Sequence, residues 1–411
     1  MGILTCVEYG HPMKIPTANI SPYPEEIEQW WWNKANEQWP DAEEPKIVRM
    51  LQEEIVVQSD RFNKERHFTP KSYGSRELSL LAYGNFYFPR TWNHLSYVLA
   101  EALELREWNP PRKGPLNILD LGSGSGATCL AALRSFRDRG VENPIELRAI
   151  DYSGKSLGYL RNLHSGLYSL WPGSKLETKR LDLCRNLSRG HEKKYDLILL
   201  GSTLNEIIPE DEPEIYVNKL GEVASLLKPS GVLIVVEPAL KESCQRLHKA
   251  AAMASEAGQV HLHGPYFNGK GCPLVNVDSP FHSHEVRSWK VPEVAKKING
   301  PLGLNLVDLK FGFVLLSKKP PRRFEETATV FRLVSPVNKR RGLYFFVGIA
   351  SDGLEYAYEI QTRDLESGDR EIVERIERGD ILEIKKHLPL GDGKRIRIPN
   401  ARAIETLFSP R

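Results

Sequence analysis

The chain has 411 residues, of which 41% are hydrophobic and 27% charged, and its formal net charge is +3. These values are typical of a soluble globular protein, and the length allows two or three domains around a large core. No window approaches the roughly 18 apolar residues of a membrane span, which excludes that class of protein. A charge this close to neutral neither requires nor excludes nucleic acid.

The cysteines indicate the compartment. Five are scattered along the chain without a C-x-x-C pair, at Cys6, Cys129, Cys184, Cys244 and Cys272. Their odd number argues against a disulfide framework or a disulfide-linked partner, and it favours a reducing environment. The first residues show neither a basic region followed by an apolar run nor an arginine-rich presequence. We therefore expect a cytoplasmic protein without a membrane partner.

Residues 1–110 are predicted to form a helical N-terminal region. The first helical pattern begins at Glu25, and further patterns cover residues 44–57, 76–87 and 91–106. The adjacent Trp30, Trp31 and Trp32 cannot all lie on one helical face, so they predict packing on a neighbouring domain or contact with RNA or a partner. The run PPRKGP at 110–115 marks the end of this region.

Residues 111–317 alternate between apolar strands and helices, which predicts a mostly parallel sheet with helices on both faces. The predicted strands cover 116–120, 145–151, 175–182, 195–201 and 231–237, and 304–309 with 311–317 form a predicted final hairpin. Ligands of such sheets bind beyond the carboxyl ends of the strands. Polar residues or glycine end four of these strands, at Asp120, Asp151, Asp182 and Gly201-Ser202-Thr203.

The run LNILDLGSGSGAT at 116–128 is the segment hardest to explain without a ligand. Gly122, Gly124 and Gly126 alternate with serines between a strand and a helix. Glycine permits positive φ and lets a bound molecule approach the main chain, and the following helix start offers free N–H groups. The spacing G-x-G-x-G after an acid differs from the dinucleotide fingerprint G-x-G-x-x-G.

This D-x-G-x-G-x-G run resembles the first motif of class I S-adenosylmethionine-dependent methyltransferases, in which the turn cradles the methionine end of the cofactor. The resemblance implies an α/β fold with a Rossmann-like, seven-stranded class I methyltransferase domain and S-adenosylmethionine as cofactor. Asp151 would present its carboxylate to the ribose hydroxyls, because a carboxylate can accept two hydrogen bonds from a diol. Asp182 or Leu183 would lie against the adenine, and Gly201 against the methionine or the acceptor. The predicted cofactor-binding residues are Asp120, Gly122, Ser123, Gly124, Gly126, Asp151, Tyr152, Asp182, Leu183, Gly201 and Ser202.

Residues 318–411 change character, because short strands follow one another between turn residues. The predicted strands cover 328–333, 343–349, 356–361 and 381–386, which suggests a small β-barrel-like domain. This part has 19 lysines and arginines against 15 acidic residues, so the positive excess of the chain lies here. Basic residues bunch at 318–323, 339–341 and 385–397. Such loops suit backbone contacts to RNA, and a solvated basic face fits the charge nearly as well.

The order of these features is similar to the ribosomal small-subunit methyltransferase-like family, known from mitochondrial ribosome assembly and also found in bacteria. The match is carried by YGNFYFPRTW at 83–92, LDLGSGSGAT, DLILLGSTLNEI at 196–207, GVLIVVEPAL at 231–240, the pair Cys272-Pro273 and KRRG at 339–342. The resemblance implies action on, or binding to, the small ribosomal subunit or its rRNA.

The chain departs from this family in an insertion at about 259–290. Members typically place cysteines in P-C-P-H, C-P and C-H-F patterns, with one more in the C-terminal domain, and these bind a four-iron cluster. Here Tyr266 stands at the first position, Cys272 remains, residues 279–282 read SPFH, and residues 350–353 read ASDG. One thiolate cannot hold a cluster, so we expect no iron–sulfur cluster.

The same insertion carries two H-x-H pairs, at His261, His263, His282 and His284. Together with Cys272 they could offer nitrogen and sulfur ligands to zinc, or they could simply pack a loop. No second signal supports a metal, and none is predicted.

No catalytic residue is predicted. After the fourth strand the chain reads GSTLNE at 201–206, without the N-P-P-[FY] motif of many amino-group methylases, and Asn205 and Glu206 fit a helix start best. Methyl transfer from a sulfonium needs little beyond alignment of donor and acceptor. Three functions therefore stay open: an rRNA methyltransferase, an assembly factor that does not transfer a methyl group, and a small-molecule methyltransferase.

Overall fold

The computed structural model of the protein describes residues 18, 20–60, 74, 76–184, 187, 193–208, 213–276, 282–366 and 368–409. Its N-terminal part is helical, as predicted. The helices are α1 (Glu25–Gln38), α2 (Glu44–Asp60), α3 (Glu77–Ala82) and α4 (Phe88–Ala100). Short π-helical turns follow α3 at Tyr83–Tyr87 and α4 at Glu101–Leu105. Pro89 has no N–H to donate, and the hydrogen-bond ladder shifts by one residue immediately before it, where Phe88 N–H donates to the Tyr83 carbonyl.

The glycine-rich run opens a mixed sheet with a mostly parallel half. The strands are β1 (Leu116–Leu121), β2 (Ile145–Asp151), β3 (Ser174–Arg180), β4 (Tyr195–Gly201), β5 (Leu227–Pro238), β6 (His261–Gly264), β7 (Glu285–Ser288) and β8 (Asp308–Ser317). Their order is β3-β2-β1-β4-β5-β8-β6, and β7 also pairs with β8. The strands from β3 to β5 run parallel, whereas β8 is antiparallel to β5, β6 and β7. The predicted class I α/β architecture is confirmed. The short strands β6 and β7 share the seventh strand position of the sheet, because both pair with β8.

Helices cover both faces of this sheet. They are α5 (Ala127–Asp138), α6 (Gly154–Gly166), α7 (Leu204–Ile207), α8 (Pro213–Ala224), α9 (Lys241–Glu256) and α10 (Glu293–Asn299). Successive residues of β1 bury their side chains in opposite cores: Ile118 joins the cluster under α4, α5 and α6, and Leu119 joins the cluster under α8 and α9. β1 is buried along its whole length, and its sequence LNILDL is accordingly mostly apolar, with Asn117 and Asp120 as the exceptions.

The predicted hairpin of 304–309 and 311–317 is wrong. A single strand, β8, runs through the proposed turn and pairs with β5 from Ser317 to Phe311. Gly312 is needed for packing, because a Cβ there would lie 2.6 Å from the Cys244 sulfur on α9. Lys310 lies near the start of β8, where it pairs with Val286 of β7 and its exposed side chain follows the buried Leu309. The partners that complete the sheet are the short strands β6 and β7.

Residues beyond 318 form a second sheet. Its strands are β9 (Val330–Leu333), β10 (Asn338–Arg340), β11 (Leu343–Ala350), β12 (Glu355–Gln361), β13 (Ile381–Ile384), β14 (Leu388–Leu390), β15 (Arg395–Arg397) and β16 (Ile404–Phe408), with helix α11 (Asp369–Glu374) between β12 and β13. The order is β14-β15-β12-β11-β9-β13-β16, and β10 pairs with β11. Within the described residues β14 and β16 do not pair with each other, so hydrogen bonds do not close the predicted barrel.

Buried ion pairs join the second sheet to the rest of the chain. Arg332 on β9 binds Glu101 at 3.0 Å and Glu285 at 3.0 Å, and all three residues are buried. Arg106 also binds Glu101, at 2.8 Å. Burial alone would lower the pKa of the Arg332 guanidinium, but the two carboxylates outweigh the effect of burial and raise the pKa of Arg332. We call these four residues the Arg332 network.

The three adjacent tryptophans pack against the chain itself. Trp31 is buried and stacks on Tyr159 of α6 with ring centroids 5.2 Å apart, and Trp30 meets the same tyrosine edge-on. Trp32 turns the other way, where Lys297 of α10 lies 5.5 Å from its ring. Packing on the neighbouring domain thus accounts for all three rings, and the alternatives of RNA or a partner are not needed to explain them.

The cysteines that the structure describes are free thiols: Cys129, Cys184, Cys244 and Cys272. Cys6 lies outside the described residues. In the part of the chain that the structure describes, no helix combines the length and apolar character needed to cross a bilayer.

Candidate cofactor-binding site

The turn between β1 and α5 is shaped by its glycines. Gly122, Gly124 and Gly126 all have positive φ, at 76°, 51° and 97°. A Cβ on Gly122 would collide with Thr203, whereas a Cβ on Gly124 would meet nothing within 4 Å. The turn is therefore packed against β4 on one side and open at Gly124 on the other, which leaves its main chain accessible to a ligand.

Asp151, at the end of β2, holds this turn in place. Its Oδ2 accepts a hydrogen bond from Gly124 N–H at 2.8 Å, and its Oδ1 accepts one from Ser153 N–H at 2.7 Å. Burial raises the pKa of Asp151, and these two N–H donors work against that shift. Each carboxylate oxygen has a second lone pair, so the side chain retains capacity for a ligand hydroxyl.

Asp120 lies behind the turn and not in the cavity. Its Oδ2 accepts hydrogen bonds from the Thr128 hydroxyl at 2.6 Å and from Cys129 N–H at 3.1 Å, both in the first turn of α5. Burial raises the pKa of Asp120 to about 6, against the effect of these bonds. Gly126 is also away from the cavity, because its missing side chain makes room for Leu160. For both residues the predicted cofactor contact is corrected to a role in shaping the turn.

The other predicted site residues line one cavity of about 520 Å³ at the carboxyl ends of β1 to β4. They are Gly122, Ser123, Gly124, Asp151, Tyr152, Asp182, Leu183, Gly201 and Ser202. Residues as distant in sequence as Gly122 and Ser202 meet there because parallel strands end at the same edge of the sheet. The volume lies within the range of about 300–1,000 Å³ that small-molecule sites occupy.

Several polar atoms around the cavity have no hydrogen-bond partner among the described residues. They are the hydroxyls of Ser123 and Ser125, Asn205 Oδ1 and His94 Nε2, and each is buried. Buried polar atoms in folded proteins are nearly always hydrogen-bonded, so unpartnered atoms on several residues around one cavity favour a polar ligand there. Hydroxyl, amide and carboxylate groups beside an open main chain match the amino acid and ribose ends of S-adenosylmethionine.

A second acid, Glu237, supports the segment after β4. It is buried at the end of β5, and its Oε1 accepts hydrogen bonds from Leu204 N–H at 3.0 Å and Asn205 N–H at 3.3 Å. Burial raises the pKa of Glu237 to about 8, so it carries a proton near neutral pH. The predicted helix start is confirmed as α7, but Glu237 binds its first N–H groups and the Asn205 side chain does not.

The sequence analysis assigned no role to one wall of the cavity. This wall comes from the end of α3, the π-helical turn and α4, and it consists of Tyr83, Phe86, Tyr87, Arg90, Thr91 and His94. The spacing of four, three and four residues from Tyr83 to Tyr87, Arg90 and His94 places their side chains on one helical face. That periodic pattern of aromatic and basic residues is the available signal, within a segment that is largely predicted to be helical and that also carries part of the family resemblance.

The histidines of the insertion do not gather around a metal. His263 Nε2 lies 2.8 Å from the Lys319 carbonyl oxygen, and His282 Nε2 lies 3.1 Å from the Ala239 carbonyl oxygen. Among the described residues no group of three or more histidine, cysteine and acidic side chains could hold a metal ion. These contacts agree with the interpretation as a packed loop.

Tyr266 occupies the position that family members give to the first cluster cysteine. Its ring is buried, its hydroxyl donates to Ser283 Oγ at 2.5 Å, and the Cys272 thiol lies 3.6 Å from that hydroxyl. Residues 279–281 lie outside the described residues. Asn268 Nδ2 reaches the Ser351 carbonyl at 2.9 Å, which brings the segment 350–353 to the same region. The expectation of no iron–sulfur cluster remains a prediction.

Many basic residues of the second sheet are already paired. Arg395 and Arg397 both bind Glu359, at 2.6 and 2.8 Å, and Lys385 lies within an ion-pair distance of Glu383 and Glu405. All three residues of strand β10 are exposed; Lys339 lies 3.6 Å from Glu374, and Arg340 has no ion pair with any described residue. The predicted basic surface is therefore narrower than the charge count implies.

Known proteins resemble this chain in sequence or in fold. A family model described as mitochondrial small ribosomal subunit Rsm22 matches residues 77–348. No curated protein sequence matches the chain. Among solved structures, TrmN from Thermus thermophilus is 18% identical, with 56% of this chain and 52% of that chain covered and a TM-score of 0.33.

Two further solved structures are of similar type. The SAH-bound methyltransferase PaMTH1 from Podospora anserina is 17% identical, with 59% and 92% covered and a TM-score of 0.29. An S-adenosylmethionine-dependent methyltransferase from Clostridium acetobutylicum is 11% identical, with 84% and 92% covered and a TM-score of 0.28. The chain spans about half the length of the first structures that it matches.

Proposed function

Because the chain belongs to the mitochondrial small ribosomal subunit Rsm22 family, we propose that it is an S-adenosylmethionine-dependent methyltransferase that acts on the small ribosomal subunit or its rRNA. One observation supports this most strongly: a glycine turn with positive φ and several residues that carry buried, unpartnered polar atoms line one cavity at the strand ends. We propose the cytoplasm as its compartment from the sequence alone.

The residues of the cavity fit the parts of the cofactor. Gly122 and Gly124 let the methionine end approach the main chain, and the hydroxyls of Ser123 and Ser125 can bond its polar groups. Asp151 can accept hydrogen bonds from the ribose hydroxyls, and Leu183 offers an apolar surface to the adenine. When bound, the cofactor would supply a methyl group on a sulfonium to a lone pair of the acceptor.

The protein itself contributes the alignment of donor and acceptor and a suitable electrostatic field. Asp151 and Asp182 line the same cavity, and a carboxylate near a sulfonium favours its binding. Burial lowers the pKa of His94 to about 3, so its imidazole is neutral and can bond an acceptor group without adding positive charge. The proton that the acceptor loses then passes to solvent.

An assembly factor that binds the cofactor without methyl transfer is the second candidate. Two features favour this candidate: the low pKa of His94 makes its imidazole a weak proton acceptor, and the GSTLNE segment lacks the motif of amino-group methylases. Calorimetric titration with S-adenosylmethionine tests the shared part of both functions. Incubation of small subunits and their naked rRNA with tritiated S-adenosylmethionine then separates them: label in the RNA supports the enzyme, and tight cofactor binding without label supports the assembly factor.

A further inference from the structure

The cavity is longer than the part assigned to the cofactor. Its lining extends from Asp182 after β3 to Lys310 on β8, which is five strand spacings in the sheet order, or about 24 Å at about 4.8 Å each. The predicted cofactor residues end at β4. Beyond them the lining continues with Pro238 and Ala239 after β5 and with Lys310. This outer part is where an acceptor would lie.

The helical wall of the same cavity is aromatic. The rings of Tyr83 and Tyr87 stack at 6.2 Å with an angle of 28° between their planes, and both side chains are half-buried. Burial raises the pKa of both hydroxyls to about 12, so the rings stay neutral. They belong to a π-helical turn, a feature that is frequent at functional sites. A half-buried aromatic surface of this kind suits a flat, polarisable ring.

Two cations accompany the aromatic rings. Arg90 lies one helical turn beyond Tyr87, and burial lowers the pKa of its guanidinium. Neither Arg90 nor Lys310 forms an ion pair with any residue that the structure describes, although both line the cavity. A half-buried guanidinium has five donors to satisfy and commonly binds phosphate or carboxylate in pairs of hydrogen bonds.

We propose that the acceptor is a nucleotide of unpaired RNA, whose base stacks on Tyr83 and Tyr87 and whose phosphate binds Arg90 and Lys310. This inference rests on the proposed function, since it names the acceptor class of the same cavity. An aromatic surface beside free cations is the combination that single-stranded RNA recognition uses. A base inside a duplex could not reach the cavity, so the target lies in a loop, a bulge or a strand that is opened before transfer.

The test uses the full chain and a short single-stranded RNA that carries 5-iodouridine, a probe that crosslinks to stacked aromatic side chains. We expect the crosslinked peptide to contain Tyr83 or Tyr87. Tyr87→Leu should weaken binding of the unmodified RNA by about 5-fold to 100-fold, the range for loss of one base–aromatic stack. Tyr87→Phe keeps the ring and should bind like the original protein. Tyr168→Leu is the matched control, because Tyr168 is exposed and does not line the cavity.

Arg90→Gln distinguishes the acceptor from the cofactor. We expect it to weaken RNA binding while calorimetry shows unchanged affinity for S-adenosylmethionine. A crosslink found only outside residues 83–94, equal RNA binding by Tyr87→Leu, or loss of cofactor affinity in Arg90→Gln would each overturn the proposal. If the original protein fails to bind S-adenosylmethionine, the proposed function is wrong, and the crosslink site still decides the RNA contact. If Tyr87→Leu does not fold, the crosslink map and the RNA affinity of Arg90→Gln decide.

Discussion

Substitution of Asp151 tests the cofactor site most directly. The carboxylate binds two backbone N–H groups, from Gly124 at 2.8 Å and from Ser153 at 2.7 Å, and it lines the cavity. Asp151→Ala removes both of these bonds and the acceptor for the ribose. One hydrogen bond to a charged group contributes about 1.5–3 kcal/mol, so the ribose contact alone predicts a rise in Kd of more than about tenfold. Loosening of the turn at Gly124 would add to this loss.

Asp151→Asn separates the two contributions. The amide has the shape of the carboxylate, but its NH₂ group must face one of the two N–H donors, so one bond to the turn is lost. We expect a Kd between those of the original protein and of the alanine variant, measured by calorimetric titration with S-adenosylmethionine near pH 7. Glu146→Ala is the control, since Glu146 lies on the same strand at its opposite end and pairs with Lys193. Equal affinity of the original protein and the alanine variant, both shown to be folded by thermal melts, would refute the assignment.

Four further predictions concern stability, RNA and iron. Burial raises the pKa of Glu237 to about 8 in the folded protein, against 4.5 ordinarily, so the free energy of unfolding should fall as pH rises from about 4.5 towards 8. Glu237→Gln should remove that fall in thermal melts across pH. A variant whose stability falls with pH as steeply as that of the original protein would contradict this prediction. Arg332→Met removes the guanidinium that Glu101 and Glu285 share and leaves each carboxylate with one buried arginine partner, Arg106 and Arg287, so it should lower the free energy of unfolding in urea by about 3–5 kcal/mol, whereas a loss under about 1 kcal/mol would be inconsistent with the network. Replacing all three basic residues at 339–341 with glutamine should reduce the slope of log K against log salt for RNA by about 2, equally for different sequences, and an unchanged slope would exclude this surface. The purified protein should be colourless and free of stoichiometric iron, since Cys272 is the one thiol left of the expected ligands, and a brown preparation would contradict this.

Much of the central sheet could be predicted from the sequence because its strands are buried on both faces. Strands such as β1 and β4 are mostly apolar, with Asn117, Asp120 and Asp196 as exceptions, and glycine ends or follows each, so both their positions and their common edge follow from local pattern. Strand β8 was divided wrongly because the exposed Lys310 resembles a turn residue. The edge strands β6 and β7 have four residues each, which is too short for a periodic signal.

Side-chain direction limited the prediction of the site. Asp120 and Asp151 both end strands, yet one turns behind the helix start and the other towards the cavity, and no sequence pattern distinguishes them. The helical wall could not be predicted as part of the site, because only tertiary packing brings its residues to the cavity. The Arg332 network could not be predicted from the sequence either, since Arg332 and Glu101 are 231 residues apart and ion pairs at that separation leave no local sequence pattern.

The Arg332 network also determines how the chain can be divided. The composition changes at residue 318, which reads as a border between two independent modules, yet Arg332 beyond that border neutralises Glu101 and Glu285 before it. Cutting the polypeptide there would separate Glu101 and Glu285 from Arg332, the guanidinium that both share, and would also separate Arg287 from its partner Asp380. Neither fragment would be expected to refold alone, and the two sheets should melt in a single cooperative transition with common protection from hydrogen exchange. In evolution, the second sheet of this chain could therefore be lost or exchanged only together with changes at Glu101 and Glu285.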